Sequence, residues 1–134
     1  MNYLLDTNAL TGTALRDEAY RTQVFVIRDV ADEFGTTKTK ADQLSRSNVQ
    51  IRELEAKHFE GLKHLMDTYG GNTKLMNLLT NEGKGDVLML AYVVTERDRS
   101  ESLFPETFTI VSEDKELIRV AKELGIATLP RLES

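Results

Sequence analysis

Four carboxylates stand at points where this chain changes direction. Asp6 ends the apolar run Tyr3-Leu4-Leu5, and Glu33 lies in a short stretch, Val30 to Gly35, that follows Gln23-Val24-Phe25-Val26-Ile27. Asp86 opens the apolar run Val87 to Val94, and Asp114 follows Thr107 to Ser112. Each has an ordinary structural explanation. Asp6-Thr7-Asn8 suits an Asx-type turn, Asp86 and Asp114 suit helix N-caps, and Glu33 suits a solvated helix position. Gathered at one mouth they behave differently, because like charges cannot all stay ionised there unless a cation joins them. With no cysteine and no usable histidine motif the donors are hard oxygens, which suit Mg²⁺ or Mn²⁺. Such an ion activates a water for attack on a phosphodiester and stabilises the leaving oxygen, the chemistry of metal-dependent nucleases.

Those acids meet only if the chain between them builds the right elements. Tyr3 to Leu5 reads as a buried strand with Asp6 at its carboxyl end, where open α/β sheets collect their ligands. Ala9 to Arg21 reads as helical, weakened by Gly12. Gln23 to Ile27 is a second buried strand. Val30 to Gly35 is a short helix in which Val30 and Phe34 face the core, Glu33 sits beside that face and is drawn inward, and Asp32 points elsewhere. Thr36 to Ser47 is a polar helix with loose ends. Asn48 caps a long helix to about Tyr69, with Ile51, Leu54, Leu62, Leu65 and Tyr69 as its stripe and His58 filling the gap. Gly70-Gly71 ends it, and an amphipathic piece, Lys74 to Leu79, precedes a loop from Asn81 to Gly85. Val87 to Val94 is apolar on every side, a helix buried all round that runs on into solvent through Arg99. Thr107 to Ser112 is a strand, Asp114 to Leu124 a helix closed by Gly125, and Ile126 to Leu129 a last short strand. That alternation predicts an α/β fold with a mainly parallel sheet flanked by helices.

Composition sets the frame. The 134 residues fit one domain, 1–134, large enough to bury a core. No cysteine means no disulfide framework and no thiolate zinc site, and it fits a cytoplasmic protein. Nothing resembles a signal peptide, and Val87 to Val94 is too short to cross a bilayer, so no membrane is expected. The net charge of −5 argues against gripping nucleic acid with the whole surface. It leaves a nuclease open, because a bound metal reverses the field locally.

The motifs, in order, resemble those of PIN domains. Leu4-Leu5-Asp6-Thr7-Asn8-Ala9-Leu10 resembles that family's opening motif, and Val24 to Ile27 with Val30-Ala31-Asp32-Glu33-Phe34 its second strand and helix-borne glutamate. Gly85-Asp86-Val87-Leu88-Met89-Leu90-Ala91 resembles the stretch carrying the third acid, and Thr109 to Leu117 the segment carrying the fourth. The likeness covers the whole chain, although Thr36 to Asn81 matches only in character, and the helix after Asp86 carries Tyr92 and other large residues where many bacterial members have small ones. The resemblance implies a three-layer fold and a Mg²⁺- or Mn²⁺-dependent endoribonuclease. Asp6, Glu33, Asp86 and Asp114 would be its acidic cluster, with Asn8 and Ser112 as polar supporters. Stand-alone members of this size are often toxins of toxin–antitoxin pairs, which implies an antitoxin partner and a homodimer. The alternatives are a ribosomal or other RNA-processing nuclease, without the zinc ribbon such proteins often carry, and a PIN-like binding module that has lost catalysis.

Other residues invite misreading. Glu82 lies four before Asp86 but in a glycine-flanked loop, which favours a solvated acid over a fifth ligand. His58 and His64 form no metal motif; the first reads as a satisfied core-edge residue and the second as a surface one. Gly83-Lys84-Gly85 is too short for a P-loop. Asp6 lacks the second aspartate of haloacid-dehalogenase-type phosphatases, and no acidic pair supports a response-regulator receiver. Lys38, Lys40, Arg46 and Lys84 are the cations placed for phosphate contacts, against the plainer reading of solvated helix faces.

Overall fold

The computed structural model describes residues 2–16, 23–69, 84–98 and 105–132; the side chains of Thr13, Tyr69, Lys84 and Asp86 also lie outside that description. Five short strands carry the core: β1 (Asn2–Leu5), β2 (Val24–Ile27), β3 (Gln50–Arg52), β4 (Phe108–Val111) and β5 (Thr128–Leu129). All pair in parallel, in the order β3-β2-β1-β4-β5. β2 and β4 are buried at every position. Continuous burial of that kind is what a parallel strand covered on both faces requires.

Helices flank the sheet: α1 (Gly12–Arg16), α2 (Arg28–Phe34), α3 (Lys38–Ser45), α4 (Ala56–Tyr69), α5 (Lys84–Asp98) and α6 (Lys115–Glu123). From β1 the chain steps outward to β2 and β3, then crosses back to β4 and on to β5. Right-handed crossovers therefore set α1, α2 and α3 on one face and α4, α5 and α6 on the other. The direction of winding reverses between β1 and β4, and such a reversal opens a crevice at the carboxyl ends of the two strands. The α/β architecture expected from the sequence is the one observed.

Val87 to Val94 of α5 are buried on all sides, between 0% and 8% exposed. α4 covers this helix, and a glycine lets it come close. A Cβ on Gly61 would lie 2.0 Å from the Thr95 hydroxyl oxygen and 3.4 Å from its Cβ. Further along the same contact, buried His58 accepts the Glu55 backbone N–H at Nδ1 (2.9 Å) and meets the Glu96 carboxylate through Nε2 (2.8 Å). The first bond works as the return half of a capping box, satisfying a free N–H at the start of α4. The His58 ring stacks on Tyr92, with centroids 4.5 Å apart. The Tyr92 hydroxyl lies 3.3 Å from Arg52, which also forks onto Glu106 and covers the Phe25 ring. Burial pushes the Tyr92 phenol up to about 12. His58 is thus the satisfied core histidine its place on the apolar stripe implied, and exposed His64 is the surface one.

Several local expectations are corrected. The long helix from Asn48 does not form. Val49 is buried, Gln50 to Arg52 pair with Phe25 to Ile27 as a fifth strand, and α4 starts only at Ala56. The pull of a free edge on β2 wins over helical spacing, and Ile51 sits 36% exposed instead of in the core. The expected loop through Lys84-Gly85 is the first turn of α5, so Asp86 is a first-turn residue and not an N-cap. Ala9 to Arg21 yields a 3₁₀ turn at Thr7–Ala9 and the short α1, with 17–22 outside the described residues. The expected piece Lys74 to Leu79, the Gly70-Gly71 terminator, Glu82 and Arg99 also lie outside them.

Gly61→Ala should destabilise the fold by about 1–3 kcal/mol, because buried β-branched Thr95 has few other rotamers to adopt. Gly12→Ala, whose added methyl meets nothing within 4 Å, should be neutral or stabilise by about 0.5–1 kcal/mol. Urea unfolding of both variants checks the contrast.

Candidate functional site

Register fixes the centre of the site. Leu5 pairs with Val111 across β1 and β4, so the next residues, Asp6 and Ser112, leave the sheet side by side. The Asp6 backbone N–H still bonds the Val111 carbonyl at 3.0 Å, and Ser112 N–H bonds that of Leu129 at 3.0 Å. Asp6 is 7% exposed and Ser112 is fully buried.

Both oxygens of Asp6 are engaged. Its Oδ1 accepts the Thr7 backbone N–H at 2.8 Å, capping the 3₁₀ turn, and Oδ2 accepts the Ser112 hydroxyl at 2.8 Å. The Asn8 amide lies 3.5 Å from Oδ2, while its carbonyl oxygen accepts Glu113 N–H at 3.3 Å. Ser112 Oγ in turn accepts the Asp114 N–H at 3.0 Å. Asp114 is the N-cap of α6, its Oδ1 taking the N–H groups of Glu116 (2.9 Å) and Leu117 (3.0 Å). Its Oδ2 has no hydrogen-bond partner among the described residues.

Asp6, Asn8, Ser112 and Asp114 thus form one hydrogen-bonded group. Glu33 joins it by charge alone. Val30, Ala31 and Phe34 take the buried face of α2, and Glu33 is exposed, so it is not drawn inward as its spacing from Val30 suggested. Asp32, also exposed, pairs with Arg28 one turn back at 4.0 Å and does point elsewhere. Lys38, Lys40 and Arg46 are exposed on or just after α3 and ion-pair with none of these acids; Lys40 lies over the Phe34 ring, 5.7 Å from its centroid. The side chains of Asp86 and Lys84 are outside the described residues.

The electrostatics centre on Asp6. Burial raises its pKa above the ordinary aspartate value, opposed by the Ser112 and Thr7 hydrogen bonds and reinforced by the charges of Asp114 and Glu33. A buried carboxylate with acidic neighbours gains from a cation. Among the described residues no three of Asp, Glu and His come close enough to hold a metal together. Mg²⁺ does not need three: it commonly keeps several waters and takes one or two carboxylates plus substrate phosphate. The all-oxygen donors Asp6 and Asp114, on two adjacent strand ends, fit that habit.

Two residues here had no role in the sequence reading. Thr7 supplies the N–H that anchors Asp6, and its hydroxyl is buried without a partner. Glu116, two after Asp114, buries Oε2 without a partner while Oε1 holds Arg119 at 3.1 Å. The signal for Thr7 was its place in Asp-Thr-Asn; Glu116 gave none beyond an acid in a first helical turn. No family model matches the chain, and neither curated proteins nor solved structures give a significant match. The likeness to PIN domains therefore rests on the motifs and the agreement of fold class.

Because the folded state raises the Asp6 pKa, its contribution to stability is fully present below the unfolded value, near 3.8, and is lost as pH rises through the folded value. Asp6→Asn, which cannot ionise, should raise the thermal midpoint at neutral pH by about 3 °C, a gain of about 1 kcal/mol. The gain should shrink as pH falls into the aspartate range. Thermal melts of both proteins across that range test the sign; a variant less stable than wild type at every pH would show that the hydrogen bonds to Asp6 outweigh its burial.

Proposed function

We propose that the protein is a Mg²⁺- or Mn²⁺-dependent endoribonuclease working at the β1–β4 crevice. One observation supports this above the rest: buried Asp6, its pKa raised, stands at the switch point of a parallel sheet beside Asp114 and within the field of Glu33. A perturbed acid in such a crevice is a candidate functional group. In this reading Asp6 and Asp114 would hold the ion, and exposed Glu33 would add its charge to the field there. A metal held there would supply a nucleophilic hydroxide and stabilise the leaving oxygen. Ser112 and Asn8 keep the Asp6 carboxylate from turning.

A second reading is favoured by a different fact. Both Asp6 oxygens are engaged and Asp114 is a competent cap, so the acids could serve only to build the turn, in a binding module without catalysis.

Metal titration followed by melting separates the two. A nuclease site should gain about 2.7 kcal/mol when free Mn²⁺ reaches a hundred times its dissociation constant, and Asp6→Asn and Asp114→Asn should abolish both that gain and RNA cleavage. A wild type that neither shifts with millimolar Mn²⁺ nor cuts RNA supports the module. The toxin form of the proposal, with its antitoxin and self-pairing, further requires growth arrest on induction in a bacterial host, relieved by Asp6→Asn.

A further inference from the structure

α3 is an unusual helix to keep. Its eight residues bury only Leu44, and every other position is exposed. A helix polar nearly all round gains little from the core and persists for what it presents. What it presents is positive charge: Lys38, Lys40 and the following Arg46, joined across a groove by Arg16 at the end of α1, with Asp42 the one acid lining that groove among the described residues. The chain as a whole is at −5, so this surface is segregated from the rest.

The groove between α1 and α3 measures about 420 Å³. Arg16 stands on one wall, and Thr39, Gln43 and Arg46 on the other. None of these four side chains has a hydrogen-bond or ion-pair partner among the described residues, and Asp42 pairs with neither arginine. Two free guanidinium groups with a hydroxyl and an amide between them are the donors that phosphate oxygens take. Both walls lead back to the acidic crevice: α1 follows the Asp6 turn directly, and α3 follows the helix that carries Glu33.

We propose that this groove binds the sugar–phosphate backbone of a single-stranded nucleic acid, with Arg16 and Arg46 each on a phosphate. Among the described residues Leu15 is the one apolar residue lining it, and a docked protein would need a larger apolar anchor than that. The inference shares its RNA ligand with the nuclease reading but not its metal chemistry.

The test is anisotropy of a labelled single-stranded RNA on the full chain in EDTA, where nothing is cut, repeated over a range of salt. Arg16→Ala with Arg46→Ala should weaken binding about tenfold and lower the slope of log K against log salt by about 1.4, some 0.7 per lost phosphate. Both side chains are exposed and unpaired, so the thermal midpoint should not move; charge reversal to Glu at both sites should weaken binding further. Unchanged affinity and slope in the double variant overturns the proposal. So does an arginine-dependent grip on a poly-glutamate peptide with none on RNA, which assigns the groove to an acidic protein. RNA held through the arginines but never cleaved with Mn²⁺ leaves the groove standing and removes the nuclease.

Discussion

The Ser112 hydroxyl joins the ends of β1 and β4, the two strands between which the winding of the sheet reverses. It donates to the Asp6 carboxylate and accepts the Asp114 N–H, so β1, β4 and the start of α6 share one atom. The geometry follows from register. With Leu5 opposite Val111, the residues beyond must exit together, and a small hydroxyl is the group that fits between a carboxylate and a backbone N–H. Ser112 is completely buried, so water cannot replace it in either bond.

The arrangement sets stability against use. A carboxylate at 7% exposure next to other acids is an energetic liability that satisfied hydrogen bonds only partly offset. The rest of the fold absorbs that cost. α5 is buried along its whole middle, and α4 is locked to it through Gly61 and through the His58 bond to Glu96. Lys57 reaches the same Glu96 at 3.4 Å, so the buried carboxylate there, unlike Asp6, is matched by opposite charge. Glu96 is matched by a cation in place, whereas Asp6 has no cationic partner among the described residues.

Much of this was legible in the residues. The β-branched, uniformly apolar runs at Val24 to Ile27 and Phe108 to Val111 are parallel strands because only burial on both faces suits them. Asp114 caps its helix, and His58 reads correctly as core because a histidine on an apolar stripe must find partners. What failed were elements decided by distant neighbours. Gln50 to Arg52 carries no strand signal of its own and becomes one because β2 offers an unpaired edge. Glu33 looked inward by spacing from Val30, yet the short α2 has room for just Val30, Ala31 and Phe34 against the core. The pairing of Arg52 with Glu106, 54 residues apart, is invisible to any local pattern. The convergence of Asp6 with Asp114 was visible only through topology, as two acids at the ends of strands expected to be parallel.

Net charge was a poor guide to what an anionic strand would meet. At physiological ionic strength charges more than about 8 Å apart through solvent are largely screened, so a ligand in one groove senses its walls and not the whole surface. The α1–α3 groove carries Arg16 and Arg46 on its walls, while the crevice at Asp6 gathers acids. A chain that carried both features with an overall positive charge would hold polyanions anywhere on its surface. Under the proposal, an acidic body with a basic groove would confine them to the face that carries α1 and α3. On that view the excess of Asp and Glu elsewhere is part of the selectivity, and it is α3, nearly useless to the core, that reveals it.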